Sequence, residues 1–202
     1  MTRPPLPDRL QGPRDALRIV AFHKPRGVVV SRVREAGSPT VFSLLPEPWC
    51  TWWCVGRLDK DSTGLLLLSN SSALAQRLMD PGTLAKRYVV TVQGLPTEAA
   101  LDHVRSGGIL LGSRLTRPAA IEHLGKAPRG GTRLEVVLNE GINRQIRRVF
   151  ALAGHRVRSL TRTAVGPISL GDLPPGAARE LGHAEVRSLL SAIRLAGDSP
   201  TP

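Results

Sequence analysis

The chain is poor in the residues that advertise a metal, a redox centre or a disulfide scaffold. It has two cysteines, Cys50 and Cys54, on either side of Thr51-Trp52-Trp53. That spacing fits no common zinc or redox motif, and it reads as two reduced thiols on or near a buried strand. The five histidines (His23, His103, His123, His155, His183) are scattered and propose no metal. Aromatic residues make up 3% of the 202 positions, and Tyr88 is the only tyrosine. No apolar run approaches the roughly 20 residues that span a bilayer. The first residues, MTRPPLPDRLQGPR, lack the apolar core of a signal peptide, so a cytoplasmic protein with no membrane contact is expected. Acid is scarce as well: 16 Asp and Glu face 28 Lys and Arg, for a formal charge of +12 and a pI near 11.3. A polyanion is the expected partner. There are four lysines (Lys24, Lys60, Lys86, Lys126), so arginine supplies nearly all of the positive charge. Its planar fork suits phosphate and base recognition, although high genomic G+C content would also favour arginine codons.

What is present centres on Val55 to Asn70, VGRLDKDSTGLLLLSN. Asp59 lies in a polar turn bracketed by Gly56 and Gly64, between an aromatic-rich strand and four leucines. Leu65 to Leu68 are apolar without alternation, which predicts a central strand buried on both faces. A carboxylate at the mouth of such a strand is placed for chemistry. Asp61, two residues on, invites a paired-carboxylate reading, but Lys60 and Ser62 around it suit a solvated turn.

Along the chain, residues 1–15 read as a disordered basic, Pro-rich arm and 198–202 as a disordered tail, leaving 16–197 as one domain. Strands are expected at Leu17 to Phe22 and Val28 to Ser31, with one or two helical turns from Thr40 to Leu45. After the leucines come a helix over Ala73 to Met79, a strand from Arg87 to Gln93 with Tyr88, Val90 and Val92 on one face, and a helix from Thr97 to Arg105. A short strand at Ile109 to Leu111 precedes strands at Ala119 to Leu124 and Thr132 to Leu138. From Asn143 to Ala153, Ile146, Val149, Phe150 and Ala153 fall on one helical face. Arg144 and Arg148 point away from that face, and Arg147 sits at its edge. Beyond Gly154, Arg156, Arg158 and Arg162 alternate along a strand over Val157 to Val165 and should project from one face. A last helix runs from about Ala184 to Arg194. This irregular order fits an α+β class rather than regular βαβ repetition.

If Asp59, Tyr88 and Arg147 converge, they make a pocket with defined roles. A guanidinium beside a carboxylate favours its charged form, and a charged carboxylate held away from water can act as nucleophile or general base. The tyrosine ring could stack on a nucleobase while arginines hold phosphates. Plainer readings exist on the residues alone. Asp59 could satisfy nearby backbone amides, Tyr88 could simply pack, and Arg147 could lie on an exposed face. A nucleic-acid binder is favoured, and whether it is an enzyme stays open at this level.

Four stretches, in order, resemble the pseudouridine synthases of the RsuA type: HKPRGVVVS, GRLDKDSTGLLLLSN, the KRY of Lys86 to Tyr88, and EGINRQIRRVFALAGHRVRSLTRTAVG. The match runs from about Leu17 to Glu185. Within the family the chain is most similar to the RluE-type synthases of large-subunit ribosomal RNA, which also read Asp-Ser after the basic residue and lack a small N-terminal S4 RNA-binding domain. Only 16 residues precede the first strand, and no S4 domain is expected. His23 departs from the asparagine or aspartate common in the family, and Ser71-Ser72 from a frequent Asp-Gly or Asn-Gly.

The resemblance implies a mixed, mostly antiparallel sheet with flanking helices and a basic central cleft. It implies that Asp59 is the catalytic aspartate, that Tyr88 stacks on the target base, that Arg147 pairs with Asp59, and that Leu181 packs the pocket floor. Lys24, Arg57, Lys86, Arg144, Arg148, Arg158 and Arg162 are the residues expected to bind RNA. The implied reaction turns a uridine of ribosomal RNA, 23S or a large-subunit assembly intermediate, into pseudouridine. It needs no cofactor or metal, and a monomer is expected to carry it out. Asp59 would attack C1′, attack C6, or remove a proton from C2′. A noncatalytic RNA-binding or ribosome-assembly factor of the same fold, or a module for another polyanion, is the alternative; a pure binder would release no tritium from C5-labelled uridine.

Overall fold

Nine strands form one mixed sheet in the computed structural model, which describes residues 17–33 and 37–197. In chain order the elements are β1 (Ile19–Lys24), β2 (Trp53–Val55), β3 (Thr63–Ser69), α1 (Ser72–Met79), β4 (Lys86–Val92), α2 (Glu98–Ser106), β5 (Leu110–Leu111), β6 (Arg114–Leu115), β7 (Ala120–Lys126), β8 (Thr132–Leu138), α3 (Gln145–Leu152), β9 (Val157–Val165), β10 (Ile168–Ser169), β11 (Ala178–Glu180) and α4 (His183–Gly197). The sheet runs β11-β1-β3-β9-β4-β8-β7, with β2 on β3 and β10 on β9, while β5 and β6 pair separately. Every pairing of named strands is antiparallel except β3 with β9. The α+β architecture, mostly antiparallel with helices packed outside, is the one the sequence implied. The expected arm 1–15 and tail 198–202 lie outside the described residues.

The leucine run is the strand through which two of the cores communicate. Leu65, Leu66, Leu67 and Leu68 are all fully buried, and side chains alternate between the faces of a strand. Leu65 and Leu67 pack with Leu74 and Leu78 of α1 and Leu189 and Ile193 of α4. Leu66 and Leu68 pack on the other face with Val20, Phe22, Val41 and Trp52. Each such side chain contributes about 1.5–3 kcal/mol on leaving water, which fixes the strand in place. A third core lies under β4, β8 and β9, where α3 inserts Ile146, Val149 and Phe150 and α2 inserts Leu101 and Val104. Ser71 and Thr97 start α1 and α2 by accepting from Leu74 N and Ala100 N, as N-caps do.

One local expectation changes. Val28 to Ser31 is not a strand: Val29 makes a single bridge with Thr40. The turn before it is drawn instead toward the Asp59 segment, Gly27 N donating to Lys60 O at 2.8 Å, so Val28 and Val29 are buried by their side chains and not by a ladder. Thr40 to Leu45 forms one 3-10 turn, Val41–Ser43, capped by Thr40.

One contact joins the two halves of the sheet. Thr63 and Gly64 of β3 pair with Thr161 and Arg162 of β9, and Gly64 has φ +106. A Cβ at Gly64 would lie 2.6 Å from Arg162 N and run into its carbonyl oxygen. Both atoms are backbone and have nowhere to yield. Gly64→Ala is therefore expected to cost at least about 2 kcal/mol of stability through overpacking and an unfavourable φ. Urea unfolding checks this, and a midpoint equal to that of the wild type would contradict it.

Candidate active site

One edge of β3 is shared by two strands. β2 pairs with Leu67 to Ser69, and β9 with Thr63 and Gly64. In the fork between them the Leu65 carbonyl accepts from Arg162 Nε at 2.7 Å. The chain leaving β2 turns into this fork at Gly56, φ +75, and presents Asp59 there. A cavity of about 630 Å³ opens beside it, lined among others by Arg57, Asp59, Lys86, Tyr88, Arg144 and Arg162. That size and a mainly apolar wall with a few polar groups are usual for a small-ligand site.

Three groups hold the turn. Lys24 is fully buried, and its amine donates to Ser62 O at 2.7 Å, Pro25 O at 2.9 Å and Lys60 O at 3.4 Å. Gly27 N adds a second bond to Lys60 O. From the other side Arg147 reaches Asp61 O at 3.2 Å, Ser62 Oγ at 3.3 Å and Val157 O at 3.4 Å, tying the turn to the start of β9. The Asp59 carboxylate itself accepts no hydrogen bond from the described residues. It faces Arg144 Nη1 at 3.5 Å and Arg147 Nε at 3.8 Å. It is therefore not spent on turn amides, which was its plainer reading. Burial and the neighbouring Arg144 hold the Arg147 guanidinium below its ordinary value, with Asp59 and Asp61 pulling it back up.

The structure brings Asp59, Tyr88 and Arg147 into one region, with differences from the expected pairing. Arg144 lies closer to Asp59 than Arg147 does. It reaches there because its backbone is left-handed, φ 51, a conformation uncommon for a side chain of this size. The loop before it is over-determined: Gln145 Oε1 accepts from Ile142 N, Gln145 Nε2 donates to Glu140 Oε1, and the same oxygen accepts from Arg117 N. Glu140 and Gln145 are 3% and 5% exposed. Sequence reasoning passed over both; two polar residues flanking the buried Ile142 in EGINRQ were the available signal. Tyr88 lines the cavity while packing on the third core.

Other expected positions shift. Lys24, expected to touch RNA, is enclosed and braces the turn. Arg162 does not project with Arg156 and Arg158. A bulge in β9 puts Val157 opposite Val92, where regular alternation would put Arg158. Val157, Leu160 and Arg162 thus share the Tyr88 face, while Arg156 and Arg158 are exposed in a second cavity of about 500 Å³ with Arg26, Asp61, Arg144 and Arg147. Arg57 is exposed at the wall of the first cavity, and Lys86 lines it half-buried. Arg148 is half-buried on α3 and lines neither cavity. Leu181 is buried in the core formed with Val55, Leu78 and Val165, the residues that line the first cavity, and so lies behind that wall and not on it.

A family model described as RNA pseudouridylate synthase matches residues 18–152. The chain is 36% identical over 187 residues to an uncharacterized RNA pseudouridine synthase of Mycobacterium tuberculosis, covering 90% of this chain and 72% of that protein. It is 34% identical over 184 residues to ribosomal large subunit pseudouridine synthase B of Pseudomonas aeruginosa, covering 88% of this chain and 47% of the relative. Among solved structures, a pseudouridylate synthase matches with a TM-score of 0.77 at 29% identity, over 86% of this chain and 74% of that one. Human RNA pseudouridylate synthase domain containing 1 matches with a TM-score of 0.55 at 14% identity, over 92% and 93%, which speaks for the fold alone.

The Lys24 brace has a pH signature. Burial pulls the amine down to about 8, against the attraction of Asp59 and Asp61. Between about pH 8 and about 10.4, the free-lysine value, the unfolded chain holds this proton and the folded chain has lost it, so stability rises with pH. Urea titrations across that window should show a rise in the wild type, at most about 1.4 kcal/mol per pH unit, that is missing from Lys24→Met. Parallel stability profiles for the two proteins would contradict the assignment.

Proposed function

This chain belongs to the RNA pseudouridylate synthase family and is an RNA pseudouridine synthase, and from that premise we propose that its substrate is one uridine of ribosomal RNA, in the large subunit. Asp59 starts the reaction, Tyr88 carries the base, and Arg147 positions the turn that bears Asp59. The observation that carries this reading is a carboxylate that accepts no hydrogen bond from the described residues, flanked by two arginines, at the mouth of a cavity lined by the lone tyrosine. The names of several relatives, among them the Pseudomonas aeruginosa protein, support the large ribosomal subunit as the source of the substrate.

The reaction breaks the bond from C1′ to N1, rotates the uracil and rejoins it through C5, with no atom gained or lost. A uridine must leave its stack to reach Asp59, at a cost of a few kcal/mol. Arg144 lines both cavities, so a strand whose base enters the first can lay its flanking phosphates across Arg144 toward Arg26, Arg156 and Arg158. Release of counterions from those phosphates offsets the cost of eversion. The same arginines exclude water poorly, which suits a rim better than a reaction centre.

Asp59→Asn and Asp59→Ala are expected to lower pseudouridine formation by roughly 10³-fold or more while RNA binding persists. Tritium release from C5-labelled transcript measures it, and either variant keeping wild-type release would remove Asp59 from its role. Arg156→Ala and Arg158→Ala should weaken RNA binding and each lower the salt slope of log K by about 0.7. Filter binding across a salt series tests this; unchanged slopes would take the second cavity off the RNA path.

A further inference from the structure

Among the described residues, two cations of the first cavity have no counter-charge. Arg162 is 4% exposed, spends Nε on Leu65 O, and keeps a solvent-shielded Nη2 with no partner. Lys86 stands two residues from Tyr88 on the same face of β4, and no hydrogen bond or ion pair joins it to a described residue. The two acids lining the cavity are engaged elsewhere. Asp59 faces Arg144 and Arg147, and Glu140 Oε1 accepts from Arg117 N and Gln145 Nε2. The Cys54 thiol, which feels Arg162, is neutral because burial pushes it up to about 12. Burial, and then Arg162, hold Lys86 below the ordinary lysine value. Like charges sheltered together without an anion are costly. Here they flank the lone tyrosine, since Tyr88 and Arg162 are direct cross-strand partners.

We propose that Arg162 and Lys86 form an electrophilic subsite that holds the carbonyl edge of the pyrimidine and stabilises the negative charge it takes up during the reaction. The inference rests on the isomerase reading above. Bound uridine is neutral, so the pair gains most once charge develops, which is the condition for acting on the transition state and not on ground-state binding. In attack at C1′, an Asp59 oxygen bonds to C1′ while the C1′–N1 electron pair passes to N1. The pyrimidine leaves as an anion whose charge is shared by N1, O2 and O4. C5 then bonds to C1′, the C1′–O pair returns to the carboxylate, the C5 hydrogen departs as a proton, and N1 gains one. Removal of the C2′ proton expels the same anion. Addition of the carboxylate to C6 places the charge on C5 and O4 as an enolate. In every route the carbonyl edge becomes negative. A phosphate is the poorer occupant, because the exposed Arg57 and Arg144 already offer it a place at the rim.

Arg162 also satisfies Leu65 O, so Lys86 carries the test. Single-turnover rates and RNA affinities are measured on unmodified large-subunit ribosomal RNA transcripts made with uridine or with 5-fluorouridine, whose fluorine already stabilises the pyrimidine anion. Nuclease digestion and mass spectrometry follow the rearranged nucleoside. Lys86→Met is expected to slow the uridine reaction by about 10²-fold, leave RNA affinity within about twofold, and slow the 5-fluorouridine reaction clearly less. Lys86→Arg should restore most of the rate. An unchanged rate in Lys86→Met, an equal loss on both pyrimidines, or a loss of affinity as large as the loss of rate would overturn the subsite. Wild-type protein in the same assay separates the claims: no pseudouridine from it would remove the functional reading itself, whereas an active wild type beside an unimpaired Lys86→Met removes only this subsite.

Discussion

The close approach of β3 and β9 at Gly64 and Arg162 is the constraint from which the cavity follows. It is the one parallel pairing between named strands, and it leaves no room for a side chain at position 64 of β3. Because β9 meets β3 only there, β2 can occupy the rest of the same edge and the chain between them must turn into the fork. Arg162 closes the fork from within by taking the Leu65 carbonyl, which would otherwise be a buried acceptor without a partner. The same residue sets Tyr88 in place through the β4–β9 register. A single juncture of backbone thus locates the carboxylate, the ring and the inner cation together.

The Asp59 turn is held by its backbone, and its functional group is left free. Lys24 and Gly27 fix carbonyls on one side, and Arg147 fixes Asp61 O and Ser62 Oγ on the other. Charge-assisted bonds to carbonyls are among the stronger ones available to a folded chain, and here they are directed at residues that flank Asp59. The carboxylate sees its two arginines at ion-pair distance without a short hydrogen bond. Such a group retains its lone pairs for a substrate atom. The strained Arg144 backbone belongs to the same design, since the buried Glu140 and Gln145 hold it where propensity would not.

Local pattern was enough to read most of the elements. The four leucines predicted a strand buried on both faces, and all four are fully enclosed. The apolar stripe of Ile146, Val149 and Phe150 predicted α3, and all three are buried; Arg147, read at the edge of that face, is half-buried, and so is Arg148, which the same reading pointed away from it. What could not be read was long-range. No periodicity signals that β11 pairs with β1 across more than 150 residues, or that a bulge puts Val157 on the face regular alternation assigns to Arg158. Lys24 was expected to contact RNA, since its basic neighbours in HKPRG give no sign of burial. Only the arrival of the Lys60 and Ser62 carbonyls makes its burial tolerable. Family resemblance supplied the order of the blocks, but the fork that joins them is a property of the folded backbone.

The chemistry asked of this arrangement is modest in its materials: one carboxylate, one ring, and cations placed where charge enters and where it develops. Each is anchored to a strand or to the turn between strands, so under the proposed reading an everted uridine would meet a preformed site and not one assembled around it. The most direct test is a crystal structure of the Asp59→Asn variant bound to the proposed ribosomal RNA segment. The account predicts a uridine swung out of its stack, its ring against Tyr88, its C1′ facing residue 59 and its carbonyl edge toward Lys86 and Arg162. A target uridine still stacked in the RNA, or a base lodged in the second, arginine-lined cavity with the first one unvisited, would contradict it.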